Sequence, residues 1–221
     1  MSWVVVRYLF VRCRQGRRRY PAVSPAIRTN MVLAGGVGAR QFEVGKERDF
    51  VGISSAGMNA AGLRPEIVRA VGDKKIAAVR ALMREYAGSL GVDLSYQNFE
   101  RELASLPGEY AAPGGVLLLA LAGHEPIGCV AMRPLELGFC EMKRLYVRPA
   151  WRATGLGRQL VEAVLAEARR AGHRFVRLDT LPSMTAARKL YASMGFRPVA
   201  PYYHSPVAGT SFLQLEIGAE L

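Results

Sequence analysis

Residues 140–172 constrain this chain more than any other stretch. Cys140–Val147 reads as a strand and Arg148-Pro149 ends it. A helix then runs from Gly155 to Ala171. Its apolar positions are Leu160, Val161, Val164, Leu165 and Ala168, with Arg169 and Arg170 in the last turn and Gly172 as the stop. A strand feeding an amphipathic helix buries an apolar face of each only if the helix packs back on a sheet. The joining turn reads Tyr146-Val147-Arg148-Pro149-Ala150-Trp151-Arg152-Ala153-Thr154-Gly155-Leu156-Gly157-Arg158. N–H groups at a helix entry lack intrahelical acceptors, and the macrodipole adds about half a positive charge there. Glycines let the backbone approach a ligand closely. The turn is therefore built like a phosphate site, and Arg152, Gly155 and Gly157 fit Arg/Gln-x-x-Gly-x-Gly/Ala. Two competing motifs fail. Arg158 and Gln159 follow Gly157, where a Walker loop needs Lys and then Ser or Thr. Position 160 is Leu, where a dinucleotide fingerprint needs its third glycine.

The surrounding segments complete a mixed α/β domain. Glu66–Ala70 reads as a strand. Asp73 caps a helix carrying Ile76, Val79, Leu82, Met83, Tyr86 and Leu90 at helical spacing, and Gly91 stops it. A short helix over Tyr96–Leu106 follows. Val116–Ala122 and Pro126–Met132 read as strands joined by a turn at Gly123-His124-Glu125. Phe175–Asp179 is a strand, Ser183 caps a helix to Met194, and Gly195 ends that helix. Phe196–Val199 and Ser211–Ile217 close the chain as strands. The expected fold is one central mixed sheet flanked by helices over residues 66–221.

Charge separates this body from what precedes it. The 221 residues carry a net +12. Residues 1–65 hold 11 Lys and Arg against 3 Asp and Glu, a balance of +8, whereas residues 66–221 hold 19 against 15, a balance of +4. The first 65 residues are aperiodic, contain no acid before Glu43, and read as a basic extension that is disordered or foreign to the native chain. Met31 and Met58 are alternative starts. Transit-peptide and basic-arm readings remain open, and a secretory signal fits poorly because Arg7 interrupts the apolar run. The longest apolar run, Val116–Ala122, has seven residues, against about 20 for a bilayer-spanning helix. Cys13, Cys129 and Cys140 show no metal spacing, and Cys129 and Cys140 fit as buried small hydrophobes. No metal site is expected. His124 and His173 are expected at the surface.

Three blocks then resemble the GNAT superfamily of acyl-CoA-dependent N-acetyltransferases over roughly residues 66–218. They are Cys140–Val147 with the loop after it, Leu178-Asp179-Thr180, and Ala186–Phe196, which looks like Ala-x-x-Leu-Tyr-x-x-x-Gly-Phe. The resemblance implies acetyl-CoA as co-substrate. The strand at Leu145, Tyr146 and Val147 would offer backbone groups to the pantetheine arm. The N–H groups of Ala153, Thr154, Gly155, Leu156, Gly157 and Arg158 would hold the pyrophosphate, with charge from Arg152 and Arg158. Tyr191 matches the tyrosine that protonates the departing thiolate in many relatives. Glu141 matches a strand glutamate that is the general base in some of them. The family's frequent Asn near the start of the penultimate helix is absent, and Ser183, Met184 and Thr185 stand there.

The chemistry needs such groups. A lysine-like amine has a pKa of about 10.4 and attacks only when neutral. A carboxylate can take its proton, and a phenol with a pKa of about 10 can donate to a thiolate with one near 8.5. The reading is a cytoplasmic N-acetyltransferase moving acetyl from acetyl-CoA to a primary amine in a ternary complex. A small molecule or free amino group is the expected acceptor. Tyr86, Tyr96, Phe99, Tyr203 and His204 are the acceptor-site candidates, with core packing as the plain alternative for the first three. A protein or aminoacyl-tRNA acceptor and a non-catalytic acyl-CoA-binding module are the alternatives. Neither membrane nor nucleic acid is expected as a partner, and a homodimer is carried over by analogy alone.

Overall fold

Val116–Ala122 is apolar at every position, which suits a strand covered on both faces. A computed structural model of the chain describes residues 64–218 and shows that arrangement. The reading of the N-terminal extension lies outside the described residues, apart from Arg64 and Pro65. Among the described residues, seven strands form one sheet in the order β1-β2-β3-β4-β5-β7-β6. They are β1 (Glu66–Arg69), β2 (Val116–Ala122), β3 (Glu125–Pro134), β4 (Phe139–Val147), β5 (Phe175–Thr180), β6 (Arg197–Pro198) and β7 (Ser211–Glu216). The helices are α1 (Asp73–Leu90), α2 (Phe99–Ser105), α3 (Leu156–Arg170) and α4 (Thr185–Ser193). All neighbours pair antiparallel except β4 with β5. That parallel step is the crossover through α3.

The two-residue period of β2 sorts its side chains into two cores. Val116, Leu118, Ala120 and Ala122 join Leu156, Leu160, Val161 and Val164 of α3. Leu117 and Leu119 join Val79, Leu82 and Met83 of α1 and Phe99 and Leu103 of α2. Full burial of each such leucine is worth about 1.5–3 kcal/mol.

β4 breaks the simple alternation. Cys140 and Met142 face the α3 core, yet Tyr146 lies in the α1 core. The change of parity occurs at Arg144, whose φ is +58°, beside a register shift against β3 between Cys129 and Ala131. This is a β-bulge: one extra residue flips every later side chain to the opposite face. Two expected helix caps are also corrected. Gly72, not Asp73, is at the start of α1, and Asp73 is its first helical residue. Met184 precedes α4 and no side chain caps it, so Ser183 lies one residue too early. His173, expected at the surface, is buried with its Nε2 3.0 Å from the Gly114 carbonyl oxygen. That bond ties the end of α3 to the start of β2. His124 is exposed as expected.

Candidate active site

The β4–β5 ladder is short. Phe139, Cys140 and Glu141 pair with Phe175, Val176 and Arg177, and there the pairing stops. β4 continues to Val147 and β5 to Thr180 without meeting. The sheet therefore carries a wedge-shaped gap with backbone groups of β4 along one side. Leu145, Met142, Lys143 and Arg144 line the cleft here, with Asp179 and Leu181 from the β5 side and Met184 and Tyr191 from α4. Tyr86, Leu90, Leu94, Tyr96 and Gln97 close it from the α1 side.

At the end of β4 the chain turns through Pro149–Trp151 into α3. Gly155 has φ +89°, a left-handed conformation that glycine adopts without strain. Ala153 holds φ +63° without that freedom. The first main-chain bond into α3 is from the Gln159 N–H to the Gly155 carbonyl, at 3.1 Å. The N–H groups of Leu156, Gly157 and Arg158 make no backbone bond among the described residues, and no side chain caps the helix. These are the unsatisfied donors of a helix entry, set beside the gap. Arg152 folds back so that its Nε donates to the Val147 carbonyl (3.1 Å), with the guanidinium over the Tyr146 ring. Arg158 donates to Ser193 Oγ at 2.7 Å, which fastens the start of α3 to the end of α4. A Cβ at Gly157 would stand at ordinary contact distance from Leu190 and Val147, 3.7 and 4.0 Å. The loop, β4 and α4 thus meet at one point.

Tyr191 is 4% exposed and its ring packs against Phe196 at 5.6 Å. Its hydroxyl makes no hydrogen bond among the described residues. Burial pushes its phenol well above 10, and the nearby Tyr86 and Asp179 push the same way. It therefore stays protonated across the neutral range. Burial also pushes the Tyr86 phenol up, to about 12.

Glu141 sits differently from a free strand carboxylate. It is 1% exposed, and Arg133 binds its Oε2 at 2.8–2.9 Å. The Tyr202 hydroxyl donates to its Oε1 at 2.9 Å, with Lys143 Nζ 3.7 Å from the same oxygen. Arg133 is in turn held by Glu109. Glu141 is thus occupied on both oxygens and stands behind the cleft wall rather than on it. The carboxylate on the wall is Asp179, whose Oδ1 lies 3.3 Å from Lys143 Nζ.

Of the aromatic candidates, the structure brings two to the cleft wall and a third, Tyr203, against its lining residues Gln97 and Lys143. Tyr86 and Tyr96 line the cleft. Gln97 Nε2 donates to the Tyr96 hydroxyl at 3.1 Å and to the Tyr203 hydroxyl at 3.4 Å. Phe99 is not with them. It is buried in the α1 core with the Arg144 guanidinium 5.0 Å above its ring, so its role is packing. His204 is exposed, and no described contact brings it to the cleft. Cys129 and Cys140 are buried free thiols pushed up to about 12 by burial, and both act as small core residues. Sequence reasoning missed Lys143, Asp179 and Gln97 as cleft residues. Asp179 lay inside a recognised block, but its neighbour Lys143 is 36 positions away and meets it only through the parallel β4–β5 crossover. No helix among the described residues is long and apolar enough to cross a membrane.

Comparisons with known proteins show the fold and the family. An uncharacterized N-acetyltransferase of Schizosaccharomyces pombe is 40% identical over 140 residues, covering 62% of this chain and 86% of the relative. One of Dictyostelium discoideum is 27% identical, covering 65% of this chain and 95% of its own. Among solved structures, a GNAT-family acetyltransferase of Staphylococcus aureus superposes with a TM-score of 0.60 at 16% identity, over 70% of this chain and 100% of that one. The PaiA N-acetyltransferase of Thermoplasma acidophilum, solved in complex with coenzyme A, superposes with a TM-score of 0.55 at 16% identity, over 70% and 99%. The model of the Acetyltransferase (GNAT) family matches residues 77–196, more than half of the sequence. The chain belongs to the GNAT family of acetyltransferases.

Proposed function

We propose that this protein transfers an acetyl group from acetyl-CoA to a primary amine by direct attack within a ternary complex. The observation that carries the reading is the parting of β4 from β5 directly beside the uncapped start of α3, with the Tyr191 hydroxyl in the same cleft. The residues present fit a long, thin, anionic co-substrate. The gap accepts an extended arm, and the backbone of Leu145, Tyr146 and Val147 supplies its hydrogen-bonding edge. The N–H groups at Leu156, Gly157 and Arg158 hold a pyrophosphate, in a loop that runs from Ala153 through Thr154 and Gly155. Arg152 and Arg158 add charge at its rim. Bound acetyl-CoA supplies an acetyl group activated as a thioester.

The chain's own groups then divide the work. The cleft holds both reactants side by side, which replaces a bimolecular encounter by a positioned one. A β4 backbone N–H near Tyr146 holds the developing oxyanion. Tyr191 keeps its proton until sulfur departs and then gives it up. Glu141, which the family resemblance implied as a base, holds Tyr202, Lys143 and Arg133 in position; in this reading its part in proton transfer is indirect.

Isothermal calorimetry of the full chain tests the proposal. Acetyl-CoA binds with micromolar affinity, and a primary amine then releases CoA. Gly155→Val weakens acetyl-CoA binding at least tenfold, about 1.4 kcal/mol, because valine cannot hold φ +89° without strain and the loop amides shift. A folded wild-type chain that gives no heat with acetyl-CoA would remove the reading.

A further inference from the structure

Resting on the acetyl-transfer reading, we propose that the acceptor side of the cleft is a cation subsite centred on Asp179. It takes an alkylammonium acceptor whose chain carries no carboxylate, and Asp179 receives the amine's proton. Four observations point there.

Asp179 is the carboxylate that lines the cleft together with Tyr191. Its side chain is 13% exposed and its recorded ion pair is with Lys143 at 3.3 Å. Asp179 also takes the Tyr203 hydroxyl, whereas Glu141 holds both Arg133 and Tyr202 and is off the cleft wall. Next, Lys143 has a second carboxylate within reach, because Glu141 Oε1 lies 3.7 Å from the same Nζ. When a substrate cation takes up Asp179, Lys143 keeps a counter-charge. An ammonium here and Lys143 are then two cations facing two carboxylates, Asp179 and Glu141, while Arg133 has Glu109 as a further counter-charge, so positive charge is not in excess.

The Gln97 side-chain oxygen is buried and has no hydrogen-bond partner among the described residues, while its Nε2 serves the Tyr96 and Tyr203 hydroxyls. A buried acceptor without a donor costs about 1–3 kcal/mol. An ammonium brings three donors and no acceptor, the match this oxygen lacks. Finally, Tyr86 and Tyr96 line the cleft and the Tyr203 ring already stands 5.8 Å from Lys143 Nζ. Phenol rings attract an ammonium through their faces.

The same groups disfavour an acceptor with an anionic arm. Lys143 is paired with both carboxylates, and the Arg144 fork is filled by Glu102 at 2.5 and 2.9 Å. A substrate carboxylate would have to break one of these pairs and would face Asp179 directly.

The proton balance closes. The ammonium gives one proton to Asp179 and its freed lone pair bonds to the thioester carbonyl carbon. The C–S bond breaks, and sulfur takes the Tyr191 proton. The second proton leaving nitrogen returns to Tyr191 through water, and Asp179 releases its own to solvent. One proton is released for each amide formed.

The test uses the full chain, acetyl-CoA and three probes: n-butylamine, 2-phenylethylamine and 4-aminobutanoate, with CoA release as the readout. Acetyl-CoA affinity by calorimetry is measured in parallel for every variant, and thermal melts confirm folding. The expected result is turnover of both amines with kcat/KM at least tenfold above that of 4-aminobutanoate. Asp179→Asn lowers kcat for n-butylamine at least a hundredfold and keeps the acetyl-CoA Kd within threefold. Asp179→Glu recovers part of that loss. Gln97→Leu raises the amine KM about tenfold with acetyl-CoA binding unchanged. Equal or better turnover of 4-aminobutanoate overturns the proposal. So does Asp179→Asn within threefold of wild type, or acetyl-CoA binding with neither amine acetylated. Loss of acetyl-CoA binding by the wild-type chain is a different failure, that of the acetyl-transfer reading itself.

Discussion

Replacing Tyr191 by phenylalanine lowers kcat at least a hundredfold while the acetyl-CoA Kd stays within a factor of two. The ring is held by Phe196 and the α3 core, so phenylalanine keeps the packing and removes only the hydroxyl. That hydroxyl has no structural hydrogen bond among the described residues, so its removal leaves no protein group unpaired. Burial keeps it protonated through neutral pH, which suits a donor and excludes a base. A general acid contributes about 10²- to 10⁴-fold, and a thiolate with a pKa near 8.5 leaves partly unaided, which places the expected loss at the lower end. Steady-state CoA release beside calorimetry separates the two quantities. A kcat within threefold of wild type would move the proton donor elsewhere.

The second large effect is on stability. Glu102→Ala destabilises the fold by about 3–5 kcal/mol, the range for breaking one partner out of a buried ion pair. Arg144 is 5% exposed and places Nε and Nη2 on the two oxygens of Glu102, which also accepts the Tyr110 hydroxyl at 2.6 Å. Alanine leaves a buried guanidinium without its carboxylate and takes the acceptor from a buried phenol. The same pair sets an acid limit. Burial works to raise the Glu102 carboxyl, but the hydrogen bond and charge of Arg144, with Tyr110, outweigh it and hold the group below its ordinary range. A carboxyl lowered in the folded state stabilises fully above its unfolded pKa, about 4.3, and loses that contribution as pH falls through the folded value. Urea melts between pH 7 and pH 3 therefore show wild type losing stability toward acid more steeply than Glu102→Ala. Parallel slopes would assign the acid limit to other carboxylates.

What could be read from the chain in advance was whatever local periodicity encodes. β2 is continuously apolar, α1 and α3 carry their apolar stripes at helical spacing, and Gly91, Gly172 and Gly195 stop helices where expected. The loop from Arg152 to Arg158 was legible because an uncapped helix entry and a positive-φ glycine are local devices. The bulge at Arg144 was not. It is encoded by register against β3, a property of two strands at once, and it reverses the faces of Leu145, Tyr146 and Val147. The pairing of Lys143 with Asp179, and the occupation of Glu141 by Arg133 and Tyr202, escaped for the same reason. Glu141 fits a recognised strand position, yet its surroundings come from β3 and from the loop after β6, 61 residues downstream at Tyr202. Phe99 and His204 show the complementary failure: an aromatic or imidazole in a suitable segment says nothing about which way the segment turns it.

The three-pair seam between β4 and β5 also governs how the native protein breathes. Among the described residues, β5, β6 and β7 have only those three backbone pairs to the rest of the sheet; side-chain links such as Lys143–Asp179, Glu141–Tyr202 and Arg177–Glu136, and Val176, Leu178, Leu213 and Ile217 on the α3 core, supplement them. β2 and β3, by contrast, are laddered along most of their length. Sub-global opening follows the weakest line of contacts. Amide protons of Phe175–Thr180 therefore exchange with deuterium sooner than those of Leu117–Leu119, and a ligand lying along the seam slows the first set far more than the second. The line along which this fold yields most easily is the one its co-substrate would sew shut.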